Sequence, residues 1–194
     1  MNEQQLYHKI YVEKEKLDHL ISNYWSSYSN IDTWYFWVNV ASVLIPFILL
    51  YIAVDKKRLF EICFFGYTVH MIWANVDTML SQHNYLVHPH TLTYLLPFGI
   101  TITAVVFPVT FMLLYQYCTN RDKNFYIYTI IASLIFSYRA GGLSDVVGLL
   151  NIHKGMNFFY LFLIDVAIVY ISFWMTKLFS KFMNMNGRTQ EGNH

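Results

Sequence analysis

Charged residues are sparse or absent over five stretches of the chain: Trp34–Val54, Phe60–Leu80, Leu92–Tyr117, Phe125–Leu143 and Phe158–Phe179. Each is about as long as a helix needs to cross roughly 30 Å of hydrocarbon. The third holds no charge at all, whereas the second and fourth contain ionisable residues. No ten-residue alternation of the kind a barrel strand requires is visible, so helices are the predicted spanning form. The pattern predicts an all-α, polytopic transmembrane helix bundle of five spans over residues 34–179. An N-terminal arm over 1–33 precedes it, and a polar, disordered cytoplasmic tail over 180–194 follows.

Within the arm, Leu6, Ile10, Leu17, Ile21, Tyr24 and Tyr28 fall near one helical face with charges opposite, which predicts an amphipathic helix. It can lie on the outer membrane surface, leading into the aromatic band Trp34–Trp37, or pack on the protein's own outer loops. The first thirty residues lack a continuous apolar core and a cleavage site, so insertion is expected to rely on the first span.

Basic residues set the orientation. Lys56, Lys57 and Arg58 follow the first span, Arg121 and Lys123 the third, and Lys177, Lys181 and Arg188 mark the end of the fifth. Ser81–Thr91 has no Lys or Arg. Short basic loops stay in the cytoplasm, which predicts an outside N-terminus and an inside C-terminus.

Composition narrows the function classes. Only 13% of the 194 residues are charged, against about a quarter in a soluble domain. A net charge of +1 offers no basic footprint for nucleic acid, and that class is dropped. Cys63 and Cys118 lie far apart and do not suggest a disulfide framework.

Ionisable groups inside hydrocarbon cost about 2.5 to 3.5 kcal/mol each on insertion scales, so each should face the interior and find a partner. Helical rise brings Arg139 and Asp165 to nearly one depth, with Asp77 about a turn nearer the outside and Asn39 at a similar height. His70 and Asp77 are seven residues apart on one face. The predicted polar layer is therefore Asn39, His70, Asp77, Arg139 and Asp165. In it Arg139 pairs with one or both aspartates through its fork of donors. Such a layer specifies which helices meet, or it carries protons or a ligand, since a His between carboxylates titrates near neutral pH.

Four further features are secondary. Pro97 and Pro108 are eleven residues apart, about three turns, which predicts two kinks facing one way. Gly141 and Gly142 predict a helix break that leaves Asp145 at the outer interface. Glu61 is one turn after Lys57 and is expected to pair with it. The outer-loop histidines His83, His88, His90 and His153 are weak candidates for zinc or copper, but their spacing matches no motif; no metal and no cofactor are assigned. No nucleophile elbow, phosphate loop or zinc helix is present, and no enzyme class is indicated.

Three runs, VDKKRLFEI at Val54–Ile62, LLPFGITITAVVFPVTFMLLYQYC at Leu95–Cys118 and GLLNIHKGMNFFYLF at Gly148–Phe162, resemble a family of small multi-spanning membrane proteins from spore-forming Bacillus and Clostridium relatives. The likeness covers about Pro46–Phe179 and is most specific at PVTFMLLYQY, Pro108–Tyr117. It implies a bacterial cytoplasmic or spore membrane and no particular activity. Asp77 matches an acidic position of the family's second span. The family's acids in the third and fourth spans are replaced here by ITAVV and by SYRAGG around Arg139.

The functional expectation is a non-enzymatic membrane component that binds a partner membrane protein, a second copy of itself, lipid or a small ligand. The alternative is a proton-linked transporter or channel subunit that uses the Asp/His/Arg layer.

Overall fold

The computed structural model describes residues 1–95, 99 and 101–191, and it is all helix apart from one two-residue strand pair. Helix α1 (Glu3–Tyr28) begins with a reciprocal cap in which Asn2 and Gln5 each accept the other's backbone N–H. Thr33 caps α2 (Trp34–Ala53). A 3-10 turn, Lys56–Arg58, leads into α3 (Leu59–Gln82). The third span opens with a π turn, Ile102–Val106, and continues as α4 (Phe107–Asn120). The fourth comprises α5 (Phe125–Ile135), a π segment Phe136–Gly141 and α6 (Gly142–Val147). The fifth is α7 (Phe158–Glu191), which continues past Phe179; residues 192–194 of the tail lie outside the described residues.

Five of these helical segments are long and apolar enough to cross a membrane: Trp34–Ala53, Lys56–Gln82, Ile102–Asn120, Phe125–Val147 and Phe158–Phe182. Their outward faces are apolar. On α2 alone Leu44, Ile45, Phe47, Ile48, Leu49 and Ile52 are exposed, a patch that water would not tolerate and hydrocarbon requires.

The third span starts ten residues later than Leu92, where the apolar run begins. Gly99 takes a left-handed φ of +78°, which an α-helix does not accommodate. The non-helical stretch 88–95 is tied to its neighbours through its backbone: Trp25 Nε1 donates to Thr91 O at 3.1 Å, and Asn39 Nδ2 to His90 O at 3.2 Å. Irregular backbone of this kind is stable near a membrane only where protein satisfies it. Of the two prolines, Pro97 lies outside the described residues. Pro108 sits in the first turn of α4 just after the π turn. It has no N–H and its ring crowds the carbonyl four residues back, and there the ladder shifts to five-residue steps, Val106 N to Thr101 O and Phe107 N to Ile102 O.

The paired glycines do not break the fourth span. The chain passes through Gly141 and Gly142 as helix and stops at Gly148, whose φ of +83° ends α6. Strand β1 (Leu86–Val87) pairs antiparallel with β2 (Asn151–Ile152), Leu86 opposite Ile152, and so joins the loop after α3 to the loop before α7.

The core runs between α3, α4, α5 and α7. Two stacked ring pairs, Phe65 with Tyr115 at 4.6 Å and Phe125 with Phe173 at 4.4 Å, meet edge to face. This cluster occupies the basic end of the bundle. There Glu61 accepts from Arg58 and from the Tyr115 hydroxyl, not from Lys57, because the intervening 3-10 turn brings Arg58 over the Tyr115 ring.

Candidate functional site

Two aspartates are buried in the half of the bundle nearer α1. Asp77, in the penultimate turn of α3, is 1% exposed, and Asp165, in the second turn of α7, is 2% exposed. Both line a cavity of about 40 Å³, together with Thr103, Ser137, Ser144 and apolar neighbours such as Leu161. By volume alone that space has room for one or a few water molecules, while the surface it exposes is apolar.

Each carboxylate has its own partners. Asp165 Oδ1 accepts from Trp73 Nε1 at 3.0 Å and Oδ2 from Ser137 Oγ at 2.7 Å. Asp77 Oδ1 faces His88 Nε2 at 3.0 Å. Trp73 and Asp77 are one turn apart on α3, so that helix supplies both a carboxylate and the donor to the other carboxylate. Neither aspartate meets Lys or Arg among the described residues.

Backbone geometry shapes the cavity. Ile102 and Thr103 belong to the first π segment, and Phe136, Ser137 and Gly141 to the second; all five line it. Single π turns inside helices are uncommon and gather at functional sites. Gly99 approaches the Asp77–His88 pair closely. A Cβ there would lie 2.3 Å from Asp77 Oδ2 and 2.8 Å from His88 Nε2, so only glycine lets this backbone reach the pair.

His88 also reaches the outside. It lines a groove of about 970 Å³ between Leu17, Leu20, Ile21, Tyr24 and Trp25 of α1 and the end of α3 with the loop that follows. His88 thus lines both the groove and the smaller carboxylate cavity.

Of the five residues expected in one layer, Asp77 and Asp165 come together at the cavity and the other three do not. Arg139 is exposed and makes no ion pair among the described residues. Ser137 points inward to Asp165, and a residue two positions later lies about half a turn around the helix, on the outer face. Depth along the helix had aligned Arg139 with the aspartates, but azimuth separates them. His70 is half-buried and its Nδ1 is enclosed without a partner among the described residues; the imidazole beside Asp77 is His88. Asn39 is buried but serves the loop: its side chain donates to His90 O and accepts from Thr101 Oγ1 at 2.9 Å.

The four loop histidines do not converge. His88 faces Asp77, and His90 stacks on Tyr35 with centroids 3.5 Å apart while its Nδ1 lies 2.9 Å from Ser29 Oγ. Burial pushes the His90 imidazole below its usual value, against an opposing hydrogen bond to the Tyr28 backbone. His83 offers its carbonyl to Lys154, and His153 donates its backbone N–H to Tyr85 O. Among the described residues no three ligating side chains share a metal position.

Sequence reasoning did not single out Trp73, Ser137 or Gly99, and it read His88 as an outer-loop histidine and weak metal candidate, not as a partner of Asp77. The one available signal was spacing: Ser137, Ser133 and Thr129 repeat every four residues in an otherwise apolar span. No family model, curated protein or solved structure matches the chain.

Proposed function

We propose that the protein is a proton-linked membrane protein, a transporter or channel subunit, whose proton-binding centre is Asp77, His88 and Asp165. One observation carries this reading: two buried carboxylates without a cation line a single cavity, and the imidazole on one of them also lines a groove. Carboxylates inside a span are costly, and a functional role on an ion or proton path is the default hypothesis for them. The relay balances simply. A proton arrives at one ring nitrogen of His88, the Nε2 proton passes to Asp77 Oδ1, and the imidazole returns to neutrality. Cavity water then carries a proton between Asp77 and Asp165.

In this reading the chain sits in a bacterial cytoplasmic or spore membrane with α1 outside and the basic end in the cytoplasm, as the distribution of Lys and Arg supports. Helix α1 lies with its apolar face toward the bilayer surface, and kinship with the spore-former membrane family belongs to the same proposal.

The groove beside α1 favours a second reading, a non-enzymatic component that binds lipid or a partner membrane protein there. Reconstitution separates the two. Liposomes holding the purified chain and a trapped pH dye, driven by a potassium diffusion potential, are expected to take up protons faster than empty liposomes. Asp77→Asn and Asp165→Asn are expected to lower that rate at least tenfold. In Asp165→Asn the single amide oxygen can accept from Ser137 or from Trp73 but not from both, so uptake is compared only between variants whose thermal unfolding shows them folded. Uptake equal to that of empty liposomes, or unchanged in both variants, would overturn the proton reading.

A further inference from the structure

Several buried or half-buried Ser and Thr hydroxyls among the described residues of the spans follow one habit: they donate to the carbonyl four residues back. Thr68 to Phe64, Ser144 to Ala140, Ser172 to Ile168 and Thr176 to Ser172 all do so. Thr129 and Ser133 do not. Both are fully buried, and neither hydroxyl has a partner among the described residues. An unsatisfied buried hydroxyl is a rare exception that calls for a partner, and unassigned water is the commonest one.

Their positions add meaning. Thr129, Ser133 and Ser137 stand four residues apart on one face, and Ser137 is bonded to Asp165 across the gap to α7. Ser172 and Thr176 are buried on α7 beyond Asp165. The row from Ser137 to Thr129 covers about 12 Å of the membrane's thickness at 1.5 Å per residue. One turn past Thr129, the row meets Phe125, stacked on Phe173 at 4.4 Å.

We propose that Thr129 and Ser133 bind a short file of water that extends the aspartate cavity along the α5–α7 seam, and that the Phe125–Phe173 stack closes this file at the basic end. The inference rests on the proton reading, for which it supplies the second half of the path. His88 and the groove form the first half, Asp77 and Asp165 the centre, and the row of hydroxyls the exit. The charged and titratable groups facing the centre are His88 from the loop, Asp77 from α3 and Asp165 from α7. Arg139 faces away.

The test reads water directly. In a background of Cys63→Ser and Cys118→Ala, the full chain carrying Thr129→Cys or Ser133→Cys is treated in membranes with silver ion, which enters where water does. Free thiol is then counted with a maleimide after denaturation. Both thiols are expected to react at least tenfold faster than Ile130→Cys, whose side chain is on the exposed face. Equal rates overturn the proposal. In liposomes, Thr129→Val and Ser133→Ala are expected to slow proton uptake several-fold, while Ser172→Ala, which removes only a back-bonded hydroxyl, leaves it unchanged. Reactive thiols in a chain that moves no protons would leave the water file standing and sink the proton function. Proton uptake that survives both hydroxyl deletions, with unreactive thiols, would do the reverse.

Discussion

Trp73 donates its indole N–H to Asp165 Oδ1 across the gap between α3 and α7, at 3.0 Å. A hydrogen bond to a carboxylate buried this deeply joins the two helices and also fixes which way the carboxyl group faces. Trp73→Phe keeps most of the ring and loses the donor. It is expected to destabilise the bundle by about 1–3 kcal/mol, the usual penalty for stranding one partner of a buried bond. Thermal unfolding in detergent reads the stability. The infrared carboxyl band reads the change at Asp165, and it should move in Trp73→Phe and stay still in Trp73→Phe combined with Asp165→Asn. An unmoved band in the single variant would mean that the indole does not touch this group.

Asp77 and His88 form a couple that Arg139 does not share. A double-variant cycle of Asp77→Asn with His88→Gln is expected to show a coupling of about 1 kcal/mol or more, as bonded neighbours do. Arg139→Leu combined with either Asp77→Asn or Asp165→Asn should be additive within about 0.5 kcal/mol. Strong coupling of Arg139 to either acid would restore the ion pair that the geometry denies.

The contrast between these couples explains how much was readable beforehand. Segment length and the absence of charge are one-dimensional properties, so the five spans follow from the sequence; the fourth begins at Phe125 as expected, under the Asn124 cap, and its far end moves from Leu143 to the Gly148 cap. Depth is also one-dimensional, and it placed Asp77 within about a turn of Asp165. Azimuth is not, once π segments interrupt the helical count on two spans. Arg139 was misread for that reason, and Ser137 overlooked. His88 reaches Asp77 only because the loop after α3 folds back through β1 with Gly99 close beside the pair, a tertiary path that no periodicity encodes.

Gly99 tests that close approach. Gly99→Ala must place a methyl group at φ +78° against Asp77 and His88, and is expected to cost about 1–3 kcal/mol in strain and displaced contacts. Gly142→Ala is its control. That glycine is helical with open space around it, so alanine is expected to be neutral or to stabilise by up to about 1 kcal/mol. Thermal midpoints of the two purified variants should move in opposite directions, or only the first should move. Equal midpoints would remove Gly99 from the account of the site.

His90 governs how α1 is held. Its ring lies flat on Tyr35, bonds Ser29 and neighbours Tyr24, and its carbonyl holds Asn39, while Trp25 grips the next residue. The titratable side chains against this ring are Tyr35, stacked on it, and Tyr24, tilted beside it. Burial lowers the His90 value below the usual 6.5 or so, so the released state binds more protons than the docked one between the two values. Docking of α1 is therefore complete above about pH 6.5 and weakens as pH falls below it. Hydrogen exchange in the last turns of α1 is expected to quicken on acidification. His90→Asn cannot take up the proton, so its exchange, whatever its level, should lack that step once the intrinsic pH dependence of exchange is removed. An identical acid step in wild type and variant would assign the switch to another group.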